Sequence, residues 1–423
     1  MLRQVNPRAK HAVLHIPLEL HRAVTRDVAS GAELADTRRL RILVLGPLGS
    51  LHVEHMAMAA HDHGHDVVVG GAPWTGMPAA PLIDDRIVVS HPTWPTARWM
   101  HRLLRATRPD LVHAHWMPIA ALAMLYGASP VIVSAWGSDV LRASRLQRIA
   151  WRLVVRYADM LLASSGALVD ELHELGAPAE RTQLVNWGVD LRAFSPPTAD
   201  REVLRAALDL PPGPMIISPR SDNEIYNADI ILRAFERVAR ERSDVTLVLL
   251  RTPADGKDLG PLRHPERVRK IGRVPYERMQ DYYRAADVCV SIASSDSSPR
   301  SVWESMACGT PCVVSDIPWV HELITDQEHA LIVSIDEESV AAATRRLLDD
   351  RPLAARISAE ARRLVEQERD HDREMKRLFA IYEQVVREGG RRSRLLRVLS
   401  PAAVAVGIVQ AIVRRSLARL RNR

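Results

Sequence analysis

The chain has 423 residues, more than a single hydrophobic core usually organises, so two domains are expected. Its composition, 47% hydrophobic and 26% charged, excludes a disordered or fibrous protein. The three cysteines, Cys289, Cys308 and Cys312, exclude a disulfide framework and fit a reducing compartment. The formal net charge is +6, yet residues 391–423 carry nine arginines and no acid, so the basicity belongs to a tail and points away from nucleic acid as a partner of the body.

Residues 1–39 read as an irregular leader with no apolar core of the signal-peptide type. No run of about 18 apolar residues occurs, so no spanning helix is expected. Short Val/Ile/Leu-rich runs follow at 41–45, 66–69, 86–89, 110–115, 130–134, 159–164 and 182–186. They alternate with helical stretches, which predicts parallel strands buried on both faces. Proline-rich breaks at Phe194-Ser-Pro-Pro197 and Leu210-Pro-Pro-Gly-Pro214 interrupt the rhythm. It restarts at 215–218, 245–250, 268–272, 287–291, 311–315 and 330–334. The expected fold is therefore α/β, with two facing doubly wound, Rossmann-like domains over 40–195 and 196–370. The cleft beyond the carboxyl ends of the strands is the expected ligand site.

The densest chemistry lies in SSDSSPRSVWESMACGTPCVVSD, residues 294–316. It leaves a strand, turns through small polar residues and opens a helix. Ser298 suits the N-cap and Pro299 the first helical position. The free backbone N–H groups around Pro299–Val302, those of Arg300, Ser301 and Val302, would then seat an anion such as a diphosphate. Asp296 precedes the helix and Glu304 lies about one and a half turns inside it, so the two acids can accept hydroxyl protons from two parts of one ligand, or else serve as a cap and a solvated helix residue.

This segment resembles the acid-x7-acid motif of retaining, family 4 type glycosyltransferases of GT-B architecture, and the ESMACGTPCVVSD block continues the likeness. The resemblance runs from about residue 41 to 385. It implies that Glu304 holds the donor ribose and that Asp296, where the family usually has Glu, lies near the transferred sugar. Arg220, at the end of Ile217-Ser-Pro-Arg220, matches a phosphate-binding arginine, whose fork suits a diphosphate. The family's following Lys-Gly is replaced by Tyr226-Asn227, and Arg300 is the expected substitute for the missing charge, the alternative being an exposed first-turn arginine. Gly46 and Gly49, in LGPLGSLH, match the glycine loop that closes over the donor phosphates. His52 matches a recurrent histidine that faces the cleft or caps the helix. Trp136-Gly-Ser-Asp139 resembles the loop near the acceptor, where Asp139 would bind an acceptor hydroxyl or cap the next helix. Val185-Asn-Trp-Gly-Val-Asp190 resembles the connector between the domains. His115 is expected at the acceptor side. The histidines at 61–65 and at 113 and 115 look metal-like, but the first set reads as a helix-to-strand turn and no carboxylate accompanies the second, so no metal is expected. A final helix over 371–390 would return to the first domain.

The tail 391–423 lies beyond that helix. Ser400-Pro401 starts a stripe of Ala402, Val406, Val409, Val413, Leu417 and Leu420. Its most apolar part would be about 18 Å long, against roughly 30 Å needed to span a membrane. An amphipathic helix on an anionic membrane surface is expected, the alternative being packing on the protein or on a second chain. Together these readings describe an enzyme moving a sugar from a nucleoside-diphosphate sugar, as co-substrate and without a cofactor, to a glycan or lipid-linked acceptor. It would work in the cytoplasm, peripherally at the inner face of the cell membrane. A sugar-nucleotide epimerase of the same fold, or a donor-binding scaffold without catalysis, would share the motifs.

Overall fold

The computed structural model describes residues 38–72, 87–90, 97–251 and 262–389. The leader up to residue 37 and the basic tail 391–423 lie outside the described residues.

The first sheet contains β1 (Arg41–Leu45), β2 (Asp66–Gly70), β3 (Val88–Ser90), β4 (Leu111–His115), β5 (Val131–Ser134), β6 (Met160–Ala163) and β7 (Thr182–Leu184), in the order β3-β2-β1-β4-β5-β6-β7. The second contains β8 (Met215–Ser218), β9 (Thr246–Leu250), β10 (Val268–Ile271), β11 (Val288–Ser291), β12 (Cys312–Ser315) and β13 (Leu331–Val333), in the order β10-β9-β8-β11-β12-β13. All described pairings are parallel. All thirteen strands occupy the apolar runs read from the sequence, most of them shortened by a residue or two at the ends.

Side chains alternate across a strand, so each continuous apolar run feeds two cores. In the first sheet Leu43, Leu45, Val112, Ala114, Val131 and Val133 pack under α2 (Ala97–Thr107), α3 (Met117–Leu125), α5 (Arg145–Tyr157) and α6 (Gly166–Glu174). Their neighbours Ile42, Val44, Val67, Val69, Leu111 and Ile132 point the other way, to α1 (Leu51–Asp62) and α13 (His371–Glu388). A short α4 (Ser138–Leu141) follows β5. The second sheet is covered by α9 (Met279–Ala285), α10 (Arg300–Ala307) and α12 (Arg351–Glu368) on one face. Its other face lies under α8 (Ala228–Glu241) and α11 (Glu337–Asp349), while α7 (Arg201–Ala207) packs on α9 at the domain's start.

The last helix joins the two domains. Asp370 accepts from the Arg373 N–H and caps α13. The carbonyl of Arg369 accepts from Val189 at 2.7 Å, and His371 donates to the Val189 carbonyl at 3.1 Å. Gly188 has φ +63°, and a Cβ there would stand 2.4 Å from the His371 Cα, so only glycine lets the strands of chain pass this closely. Met375, Leu378, Phe379 and Tyr382 then complete the core of the first sheet. Among the described residues no helix is long and apolar enough to cross a membrane.

Candidate donor and acceptor cleft

The carboxyl ends of β8, β9, β10 and β11 open on one mouth, and α10 starts there. The helix begins one residue later than the sequence suggests. Pro299 is its N-cap and Arg300 its first residue, while Ser298 sits at φ +55°. The Ser298 hydroxyl cannot cap because it accepts from the Trp303 indole at 2.9 Å and donates to Asn186 Oδ1 at 3.4 Å. The Val302 N–H is taken by the Pro299 carbonyl at 3.1 Å, which leaves those of Arg300 and Ser301 at the free end of the helix.

Arg220 follows β8 and crosses to this end. It donates to Asp296 Oδ2 at 2.7 Å and to Ser301 Oγ at 3.1 Å. Its guanidinium carbon lies 4.0 Å from the centre of the Tyr226 ring. Burial works against its charge, but Asp296 and Tyr226 outweigh it and hold the group firmly protonated. The Tyr226-Asn227 pair is thus two different changes. Asn227 takes a left-handed conformation at φ 46°, which asparagine tolerates as glycine does. Tyr226 replaces a charge with an aromatic face under Arg220.

Arg300 and Glu304 form a second, deeper pair. Arg300 Nε lies 3.3 Å from Glu304 Oε1, and the side chains are only 11% and 5% exposed. Tyr276 donates to Glu304 Oε1 at 2.8 Å and Tyr283 to Oε2 at 3.3 Å. The remaining guanidinium nitrogens reach Tyr276 and, from across the cleft, His55 Nδ1 at 2.9 Å. Arg300 is therefore not an exposed first-turn residue. Burial and the neighbouring Glu304 push both tyrosine hydroxyls well above their ordinary range, so they donate and stay neutral.

The first domain supplies the opposite wall. Gly46 follows β1, where a Cβ would meet Val53 at 2.5 Å. Gly49, at φ +81°, donates to Glu54 Oε1 at 2.9 Å, and its carbonyl accepts from Arg273 at 3.2 Å. His52 does not cap α1, whose N-cap is Ser50. Its ring instead lies 5.4 Å from Trp136 and 4.9 Å from Trp187. Trp187 also stacks on His115 at 5.4 Å, and His115 on His113 at 4.3 Å. His113 is held between Tyr382 and Ser134, at 2.6 and 2.8 Å. His115 is fully buried, and neither ring nitrogen has a hydrogen-bond partner. Burial lowers the pKa of His52 and of His113 to about 3. Burial also keeps His115 neutral, and His113 and His52 add to the effect.

Asp139 is buried at the start of α4. Its oxygens accept from Met117 N and Trp136 N, each at 2.9 Å. It therefore holds the first N–H of α3, 22 residues earlier in the chain, and fixes the loop that carries Trp136. Burial raises its pKa to about 6, against the pull of those N–H groups.

Other contacts hold the two walls together. Ser164 and Ser165 bond the Ser297 hydroxyl at 2.8 and 2.7 Å. The Glu322 carboxylate accepts from Gly166 N and Ala167 N at 2.7 and 2.9 Å, capping α6 from the second domain. Residues with no motif to announce them thus help build the cleft: His55, Arg251, Arg273, Tyr276 and Tyr283, and Trp187 of the connector motif joins them. The strand ends at 250 and 271 were the only signal for Arg251 and Arg273. A separate cavity of about 270 Å³ opens at the amino-terminal end of the second sheet, beside Pro214, Asp287 and Pro311, away from this cleft. Among the described residues no cluster of three or more metal-ligating side chains occurs.

Two family models match the chain in tandem. Residues 49–193 match the glycosyltransferase family 4 domain and residues 216–350 the glycosyl transferases group 1 domain. D-inositol 3-phosphate glycosyltransferase 2 of Catenulispora acidiphila is 31% identical over 271 residues, which is 57% of this chain and 62% of that protein. Two further such enzymes are matched over 53% and 52% of their length, so the match spans little more than half of these curated relatives. Sucrose-phosphate synthase from Thermosynechococcus elongatus superposes with a TM-score of 0.68 at 17% identity, over 82% of this chain and 99% of that one. The Anabaena HepE protein in complex with UDP-glucose gives the same TM-score and identity, over 82% and 100%. These two likenesses bear on the fold alone. With both halves matched by the models and both sheets arranged as in these neighbours, the chain belongs to the group 1, family 4 glycosyltransferases of GT-B architecture.

Proposed function

We propose that the protein transfers a hexose-like unit from a nucleoside-diphosphate sugar to an acceptor hydroxyl. The observation that carries this reading is the Arg220–Asp296–Ser301 cluster at the free end of α10, with Glu304 about one turn inside. A diphosphate would lie against Arg220 and the N–H groups of Arg300 and Ser301. Its ribose would reach Glu304, displacing a tyrosine hydroxyl. In the transfer, the bond from the sugar's anomeric carbon to the phosphate oxygen breaks and the acceptor oxygen bonds to that carbon. The acceptor proton passes to the departing phosphate. Arg220 and the helix end offset the charge that builds there, as preorganised donors do.

The histidines support this route for the proton. With a pKa near 3, His52 is too weak a base to do much of the work. Retention of configuration rests on the family resemblance. The metal-free reading rests on the arginines, which supply the positive charge that a cation would otherwise bring.

The acceptor we propose is a lipid-linked or cell-envelope glycan, met at an anionic membrane surface. The tail 391–423 lies outside the described residues, but the first domain offers support. Its α2 bears Arg98, Arg102 and Arg105, and α5 bears Arg145, Arg152 and Arg156, with no acid in either helix, while Arg148 is paired with Glu171 and Glu174 of α6. Both helices cover the same face of the sheet, and Leu146 and Ile149 on α5 are 47% and 52% exposed. Arginines around exposed aliphatic side chains suit the headgroup region of anionic lipid.

The test is turnover of a panel of nucleoside-diphosphate sugars, with and without anionic lipid extracts as acceptor. Release of nucleoside diphosphate with sugar appearing on lipid is expected. Conversion of the sugar without an acceptor would identify an epimerase, and tight binding without turnover a scaffold.

A further inference from the structure

Three arginines stand side by side beyond three adjacent strands. In the β8–β9 pairing Ser218 faces Leu249, so Arg220 and Arg251 stand opposite one another two residues further on. In the β9–β10 pairing Leu250 faces Ile271, and the Arg251 N–H continues the ladder to the Gly272 carbonyl at 3.0 Å. Arg273 comes next and reaches the Gly49 carbonyl of the opposite domain.

The three have different commitments. Arg220 is paired with Asp296, and Arg273 is tied to the glycine loop. Arg251 has a backbone that side chains rarely adopt, φ +58°, at the end of its strand. Such outliers persist where the surrounding structure holds them, and they cluster at ligand sites. The charges that act on Arg251 most are Arg220, Tyr283, Tyr226 and Arg273, with no carboxylate among them. The Arg251 residue is exposed, yet desolvation by the protein around it and the like charges of Arg220 and Arg273 lower its pKa. His52, on the opposite wall, feels Arg300, Arg251 and Arg220 as its strongest neighbouring charges, so all face one cleft.

We infer that Arg251 binds the diphosphate of the donor beside Arg220 and supplies the positive charge that Tyr226 removes. This rests on the donor-binding reading. Arg300 is less suited to that task, because it is already engaged by Glu304, Tyr276 and His55. A diphosphate between Arg220 and Arg251 would relieve the repulsion between them, and the backbone strain at residue 251 would be tolerated for that contact.

Arg251→Gly separates a ligand contact from a structural role, since glycine accepts the left-handed backbone that arginine does not. Calorimetric titration with UDP, GDP, ADP and dTDP, and with the nucleoside matching the tightest of them, reads the effect. The expected result is diphosphate binding weakened about tenfold or more, nucleoside binding within about twofold of wild type, and a melting temperature that does not fall. Arg251→Lys should keep part of the diphosphate affinity. Undiminished diphosphate binding by Arg251→Gly, with binding intact in the wild type, would overturn the inference alone. A lowered melting temperature with equal losses for nucleoside and diphosphate would assign Arg251 to structure and overturn it as well. A wild type that binds none of the four diphosphates would remove the donor reading, and this inference with it.

Discussion

The two walls of the cleft are built on the same kind of sheet but from opposite chemistry. The second domain presents Arg220, Arg251 and Arg300 with Asp296 and Glu304, two of the arginines joined to those acids. The first presents His52, His115, Trp136 and Trp187, rings packed on one another, with the two imidazoles kept neutral by burial. A charged wall suits a diphosphate and a ribose. A neutral aromatic wall suits the carbon face of a sugar ring. The contrast also explains why imidazoles so near the site are poor candidates for proton transfer: desolvation has already decided their protonation state.

The largest expected effect concerns the neutral wall. His113 has its pKa lowered from 6.5 to about 3 in the folded chain, so the fold binds fewer protons than the unfolded state between these values. Its contribution is fully present above pH 6.5 and is lost as pH falls through that window, on the order of 5 kcal/mol in all. His115 adds to the same trend. Chemical denaturation from pH 7 down to 4 should show steeply falling stability that His113→Asn flattens. A wild-type profile no steeper than the variant's would mean that the wall is charged or wet.

Breaking the charged wall should come next. Arg220→Ala leaves the Asp296 carboxylate, 16% exposed, without its partner. Removing one member of such a pair costs about 3–5 kcal/mol when it is buried. Donor affinity should fall by at least a hundredfold, measured by titration with a nucleoside diphosphate. A loss in melting temperature without a loss in affinity would place the pair in the scaffold only.

Asp139 should behave oppositely to the histidines. Its pKa is raised to about 6 in the fold, so its stabilising contribution declines as pH rises from about 4 to about 6 and is flat above. The change is at most about 3 kcal/mol. The stability difference between wild type and Asp139→Asn should shrink or reverse across that interval. A difference independent of pH would mean that the carboxylate is ionised throughout.

The smallest effect is expected at Tyr226. Tyr226→Lys restores a charge but removes the ring under Arg220, a stacking interaction of about 0.5–1 kcal/mol. Donor affinity should change by no more than about tenfold. A larger gain would show that the charge at 226 had been missed and not replaced.

The two walls also differ in how far they can be read from sequence. All thirteen strands were legible, because strands buried on both faces leave near-continuous Val/Ile/Leu runs. Asp296, Arg300 and Glu304 were legible as one contiguous segment, and Arg220 by its place at a strand end. Ser298 misled by one residue, because a good capping hydroxyl is claimed by Trp303, five positions on. The partners of Asp139, Met117 and Trp136, were not legible, because they are set by the packing of two loops. Tyr276 and His55 meet Arg300 from separations of 24 and 245 residues, and no local pattern encodes such meetings. Arg251 shows in the sequence only as the end of a strand, and its backbone angle, which sets it apart, is not displayed there.

The central claim is that the second domain's charged wall holds a nucleoside diphosphate through Glu304 and its neighbours. Titrating wild type and Glu304→Ala with UDP, GDP, ADP and dTDP tests it most directly. The account predicts saturable binding of at least one diphosphate by the wild type, weakened about tenfold or more in the variant, since a hydrogen bond to a charged acceptor is worth about 1.5–3 kcal/mol. Equal affinity in the two proteins, or no binding of any diphosphate by the wild type, would contradict it.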